Sequence, residues 1–252
     1  MNKQEALFTY LLRLGDNALI QGHRLSEWCS RGPILEEDLA LTNIALDHIG
    51  RAQALLQYAA EVEGAGKTAD DLAYKRGERN FYNNLLTELP IGDFAYTVAK
   101  QWLLSSFEFR LYNALCHSKD QTLAAISAKT VKELRYHMTH ARDWCYRLGK
   151  GTTLSHEKLQ NAFQEVWMYT GELFEMDEVD ACLIEAGIAT DLQALYADWQ
   201  TLVQKVLYES TLPIPAADYR QTGSRQGIHT EYLGHILSEM QYLQRAYPDA
   251  QW

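Results

Sequence analysis

An all-α protein is predicted, on three observations. Apolar residues recur at helical spacing through most of the 252 residues, alternating strand-like runs are nearly absent, and the joins between the long periodic segments are unequal in length. Residues 30–35 and 118–120 are short joins suited to antiparallel neighbours, whereas 64–92 is long. Two helix hairpins joined by one long crossover resemble ferritin-like topology rather than an up-down bundle with short loops throughout. The expectation is a ferritin-like four-helix bundle with one long crossover and extra C-terminal helices. It forms a single domain over 1–252, with the core bundle at about 4–149 and the additional helices at 155–247.

The first helix is expected over residues 4–29. The second, 36–63, is entered through Gly32 and Pro33 and opened by Glu36, Glu37 and Asp38, whose charges suit a helix N-terminus. Its Leu39, Ile44, Leu46, Ile49, Leu55, Leu56, Ala59 and Val62 cover more than one stripe, as in an inner helix. The crossover is expected to hold short helices at 70–75 and 78–86, before Pro90. The third helix spans about 93–117 and the fourth 121–148, stopped by Gly149 and Gly151. Beyond them lie helices at 155–175, 177–186 and 191–208, the last opened by a Thr190–Gln193 capping box. Pro213 and Pro215 begin a polar loop, and a final helix covers 228–246.

With 47% hydrophobic residues the chain can bury a sizeable core. A net charge of -10 argues against a sequence-independent grip on nucleic-acid phosphates, which needs a basic footprint. No apolar run is long enough to span a bilayer, and the first residues carry an early acid without a signal-peptide pattern. Cys29, Cys116, Cys145 and Cys182 are scattered without a Cys-x-x-Cys, which disfavours a zinc ribbon or disulfide framework and fits a reduced, cytoplasmic protein.

The run from Lys132 to His137 nearly writes the Glu-x-x-His signature of a di-iron bundle, with the histidine one residue late. Such bundles take a Glu-x-x-His pair from each of two helices and a single Glu from each of two others. On a helix turning about 100° per residue, Tyr136 lies about 60° to one side of Glu133, His137 about 40° to the other and His140 about 20° off. Glu133, His137 and His140 could form an unusual metal site with an acid from another helix, the alternative being an autonomous metal-dependent oxygenase or oxidase. The other reading is a salt-bridged core in which Tyr136 occupies the volume of a ligand histidine. The second helix favours the latter. Its best acid is Asp47, followed three residues on by Gly50 and then by Arg51, while His48 points about 100° away. The single carboxylates would come from Asp16 or Glu27 and from Glu108. The degenerate positions are therefore Asp16, Asp47, Glu108, Glu133, Tyr136 and His137, with no metal and no catalytic residue expected.

His229, Glu231, His235 and Glu239 stand in the last helix at spacings read as a solvated or partner-facing stripe. The loop before it, 220–227, offers Arg220, Ser224 and Arg225 ahead of a helix N-terminus, which suits an ordinary connection, or an anion such as a coenzyme A phosphate or a partner's carboxylate. It matches neither a Walker loop nor a dinucleotide fingerprint.

The segments 12–17 (LRLGDN), 24–29 (RLSEWC), 37–44 (EDLALTNI), 125–129 (AISAK), 133–137 (ELRYH), 229–234 (HTEYLG) and 239–245 (EMQYLQR) together give the chain its resemblance to a known family. Over essentially its whole length it resembles the C subunits of the bacterial multicomponent phenylacetyl-CoA epoxidase, the PaaC family. The resemblance implies a ferritin-like, non-catalytic structural subunit that binds no cofactor itself and pairs with the di-iron catalytic A subunit. That complex epoxidises the ring of phenylacetyl-CoA with oxygen and electrons from a reductase subunit, in aerobic phenylacetate breakdown. A homodimer in the absence of the partner is compatible with it.

Overall fold

The computed structural model describes residues 1–216, 219–248 and 250. Among them there is no strand. The α-helices, in chain order, are α1 (Lys3–Ser26), α2 (Leu35–Glu63), α3 (Ala69–Tyr74), α4 (Leu85–Glu88), α5 (Phe94–Leu115), α6 (Gln121–Gly149), α7 (Thr153–Val166), α8 (Glu178–Glu185), α9 (Leu192–Glu209), α10 (Glu231–Met240) and α11 (Tyr242–Ala246). No described helix is long and apolar enough to cross a membrane. The chain divides into two compact units, residues 1–90 with 223–252, and residues 91–222.

The first unit is built on the α1–α2 hairpin. Asn2 and Glu5 close a capping box at the start of α1, satisfying two N–H groups that the helix cannot. At the far end of α2, Gly64 adopts the left-handed conformation that terminates it. The helices run antiparallel: Gln4 Nε2 donates to the Val62 carbonyl at 2.6 Å, Gly15 faces Leu56, and Gly22 faces Ile49 and Ala45. A Cβ on Gly22 would lie 2.8 Å from Ile49 Cδ1 and 3.2 Å from the Ala45 carbonyl oxygen, so close approach here requires glycine.

The sequence expectation of α2 as the inner helix is corrected. Leu39 and Leu46 are 54% and 62% exposed, whereas α1 is buried around most of its circumference over Tyr10–Ile20. Leucines beyond the core-facing stripe show only that the opposite face is apolar; they do not show what covers it.

The second unit is built on α5 and α6, joined by the short turn after Leu115, with α7 and α9 packed on α5. Aspartates cap α5, α6 and α9: Asp93 accepts from the Tyr96 N–H, Asp120 from Leu123 and Asp191 from Gln193. The α9 cap is thus Asp191, not the expected Thr190 box. The expected helix over 155–175 stops at Val166 and becomes two 3-10 turns, Trp167–Tyr169 and Gly171–Phe174. Those turns place Phe174 among Phe107, Tyr196 and Trp199 at centroid distances of 5.0 to 5.2 Å, and Trp199 donates to the Leu103 carbonyl at 3.2 Å.

Two further boundaries differ for identifiable reasons. The crossover segment expected as a helix over 78–86 is a 3-10 turn, Glu78–Asn80, followed by the one-turn α4, because its backbone is held by side chains of α1. The final helix starts only at Glu231 and breaks at Gln241. There the buried side chain donates to the Ala73 and Arg76 carbonyls at 3.2 and 3.0 Å, fixing a turn against the crossover.

Candidate functional site

Asp16, at the middle of α1, is fully buried. The Arg76 guanidinium holds its carboxylate through a 3.0 Å Nη1 contact and a second contact from Nη2, and the Tyr82 backbone N–H donates to Oδ2 at 3.0 Å. Arg76 also donates to the Asn80 and Leu72 carbonyls and lies 4.2 Å over the Phe81 ring. Both oxygens of Asp16 are therefore engaged by a fixed cation and an amide. A carboxylate so neutralised has little to offer a second cation. Glu27, the alternative acid near the end of this helix, instead accepts from Arg24 Nη1 at 2.7 Å.

On α2 the half-buried Asp47 is followed by His48 and Arg51, both buried. Arg51 Nη2 lies against His48 Nδ1. A guanidinium can only donate, so His48 accepts at Nδ1 and carries its proton on Nε2. Gly50 thus stands three residues beyond Asp47, where a bundle of the di-iron kind would place its histidine, and the next residue is a buried cation.

In the second unit Glu108 is buried on α5, and His137 is buried on α6 with Leu134 and Ala141. Glu133 lies 3.6 Å from Lys129 one turn earlier. Tyr136 does not fill the place of an inward ligand: it is 50% exposed, with its ring centroid 5.9 Å from that of His140. The reason is angular. The buried stripe Leu123, Ser127, Thr130, Leu134, His137, Ala141 and Cys145 centres beyond His137, about 150° around the helix from Tyr136. Among the described residues no three His, Cys, Asp or Glu side chains come together in a way that could hold a metal ion.

The structure assembles a polar cluster that sequence reasoning missed. Glu88, fully buried at the end of α4, accepts from the Thr230 N–H at 2.6 Å and from Asn83 Nδ2 at 3.0 Å, and it faces His229 Nδ1 at 2.9 Å. His229 Nε2 lies 2.9 Å from the Phe81 carbonyl, which can only accept, so that nitrogen is protonated. Arg24 Nε donates to the Glu88 carbonyl at 2.9 Å. The only sequence signal was an acid inside the apolar run before Pro90. His229 is thus an internal strut, while Glu231, His235 and Glu239 are exposed as expected of a solvated stripe.

This cluster also bears on the loop at 220–227. The residue that precedes α10, Thr230, already gives its N–H to the carboxylate of Glu88, so the helix N-terminus is served by an acid of the same chain. Arg220 is exposed and its stem runs over Gly171, Ser224 is fully buried in a 3-10 turn, and Arg225 is half-buried.

Helix hairpins with no strand among the described residues, and acids tied into the chain's own ion pairs, define a helical protein of the ferritin-like class whose donor set does not fit a pair of irons. The chain belongs to the PaaA/PaaC family of phenylacetic acid catabolic proteins, whose family model matches residues 1–252. It is similar to the C subunit of 1,2-phenylacetyl-CoA epoxidase from Escherichia coli (strain K12), with 49% identity over 246 residues, or 98% of this chain and 99% of that protein.

Proposed function

We propose that this chain is a non-catalytic structural subunit of a multicomponent phenylacetyl-CoA epoxidase, pairing with and stabilising the di-iron catalytic A subunit in aerobic phenylacetate catabolism. It binds no cofactor of its own and works in the cytoplasm beside the other subunits of the complex, a reductase among them. Its two helix hairpins act together as a single ferritin-like domain. The observation that carries the reading is the fate of Asp16, whose carboxylate is spent on Arg76 and the Tyr82 amide, joined by the buried Arg51 beyond Asp47. The near-full-length similarity to an epoxidase C subunit supports the assignment to that complex.

Asp16, Asp47, Glu108, Glu133, Tyr136 and His137 stand, in this proposal, at the former ligand positions of an ancestral metal site. The autonomous oxygenase centred on Glu133, His137 and His140 is disfavoured, since Glu133 is turned to Lys129 and no metal-binding group forms around it among the described residues. Arg220, Ser224 and Arg225 are kept as a surface for a partner's carboxylate or a coenzyme A phosphate, with Arg220 the exposed member.

Elemental analysis and gel filtration test the reading together. The chain made alone in iron-rich medium is expected to carry no stoichiometric iron or manganese, and mixed with the A subunit it is expected to elute as one complex. Two metal ions per chain, or separate elution at moderate salt, would refute it.

A further inference from the structure

His229 meets hydrogen-bond acceptors on both sides of its ring. Nε2 lies 2.9 Å from the Phe81 carbonyl oxygen, and Nδ1 lies 2.9 Å from Glu88 Oε2. A neutral imidazole carries one N–H, and the Phe81 carbonyl takes it. The contact at Nδ1 therefore needs a second proton, carried by the ring or by Glu88. The carboxylate already accepts N–H groups on both oxygens, from Thr230 on Oε1 and from Asn83 on Oε2, and hydrogen bonds to the charged form favour that form. That places the proton on the ring. The pair is then an imidazolium and a carboxylate, with both side chains fully buried.

The charged groups around the pair do not replace that proton. Arg24 of α1 donates to the Glu88 carbonyl, and Glu78 and Arg79 of the 3-10 turn line the cleft beside His229 with one charge of each sign. Arginine keeps its charge, and an ionised carboxylate stays ionised as pH rises, so the ring is the member that changes. Deprotonation sets the Nδ1 lone pair against Oε2 and leaves a buried carboxylate without its counter-charge. The pair joins the crossover to the start of α10, whose Leu233, Ile236 and Leu237 are buried behind it. The far end of that segment is tethered separately. Gln241 donates to the Ala73 and Arg76 carbonyls and Arg245 to the Arg76 carbonyl, contacts that involve no titrating proton.

We propose that His229 and Glu88 form a proton-dependent latch. With both ring nitrogens protonated it holds the start of α10 on the crossover, and loss of the Nδ1 proton as pH rises frees residues 229–237 while Gln241 keeps the far end in place. Ring nitrogen-15 NMR of the full chain reads the protonation directly, with the His229 signals assigned by their loss in His229→Gln or their shift in Glu88→Gln. At neutral pH both nitrogens are expected to be of the protonated type; one protonated and one bare nitrogen overturns the proposal. Hydrogen exchange read by mass spectrometry, corrected for the intrinsic rate, is expected to quicken about tenfold or more in peptides of 229–237 as the ring titrates, with peptides of α1 unchanged. A ring that stays doubly protonated until the whole chain unfolds also overturns the latch, leaving a permanent ion pair. Glu88→Gln supplies an amide whose N–H serves the Nδ1 of a neutral ring, so that variant is expected to stay closed across the same pH range. Opening in Glu88→Gln equal to that of the unaltered chain would refute the mechanism, and should the variant not fold, the two measurements on the unaltered chain decide alone.

Discussion

Asp16 is consumed as an internal strut, and the loss of its partner has a definite cost. Asp16 is fully buried against Arg76, whose side chain is 12% exposed. Removing one partner of such a pair leaves a charge without compensation, which costs about 3–5 kcal/mol. Arg76→Met is therefore expected to lower unfolding stability by that amount in urea titrations, and adding Asp16→Asn is expected to recover part of it. His23 supplies the pH dependence. Burial holds its imidazolium pKa below 6.5, against a smaller upward pull from Glu27. The unfolded chain therefore takes up this proton first as pH falls, so the contribution is complete above about 6.5 and is lost as pH drops from there toward the lower folded-state value. His23→Gln is expected to flatten the urea midpoint across that window, and an unchanged slope would assign it to other groups.

Helices were legible where their signals are local. The starts of α5, α6 and α8 follow from their aspartate caps and the end of α2 from Gly64, signals that act within one turn of the residue that carries them. Interruptions were not legible, because their causes are distant in sequence: Gln241 breaks the last helix to reach the Ala73 and Arg76 carbonyls, and Phe174 leaves α7 to join Trp199. The α1–α2 hairpin rests on the missing side chains of Gly15 and Gly22. Gly22→Val would push branched carbons into Ile49 and the Ala45 carbonyl, so a loss of about 1–3 kcal/mol is expected in the same titration. Gly50→Ala, on a position with nothing within 4 Å of the added carbon, serves as the control and is expected to be neutral or stabilising.

At the scale of the whole molecule, the proposed structural role is tested by a substitution at Glu133. Glu133 lies 3.6 Å from Lys129 and takes no part in a metal-binding group among the described residues, so a complex assembled with Glu133→Ala is expected to keep its iron and an epoxidation rate within about twofold of the unaltered complex. A tenfold loss of rate with iron retained would give Glu133 a role in the chemistry.

The sequence by itself determined the helical class, the two long hairpins with their one long connection, and the shortage of metal donors around Asp47, since periodicity, loop length and residue chemistry are all written locally. Only the tertiary structure decided that Asp16 belongs to Arg76, that Glu88 and His229 brace the crossover across 141 positions of chain, and that Tyr136 and the α2 leucines face outward. The physical reason is that a helix presents several faces at once, and a buried charge or an apolar stripe acquires its role from the distant segment that folding brings against it.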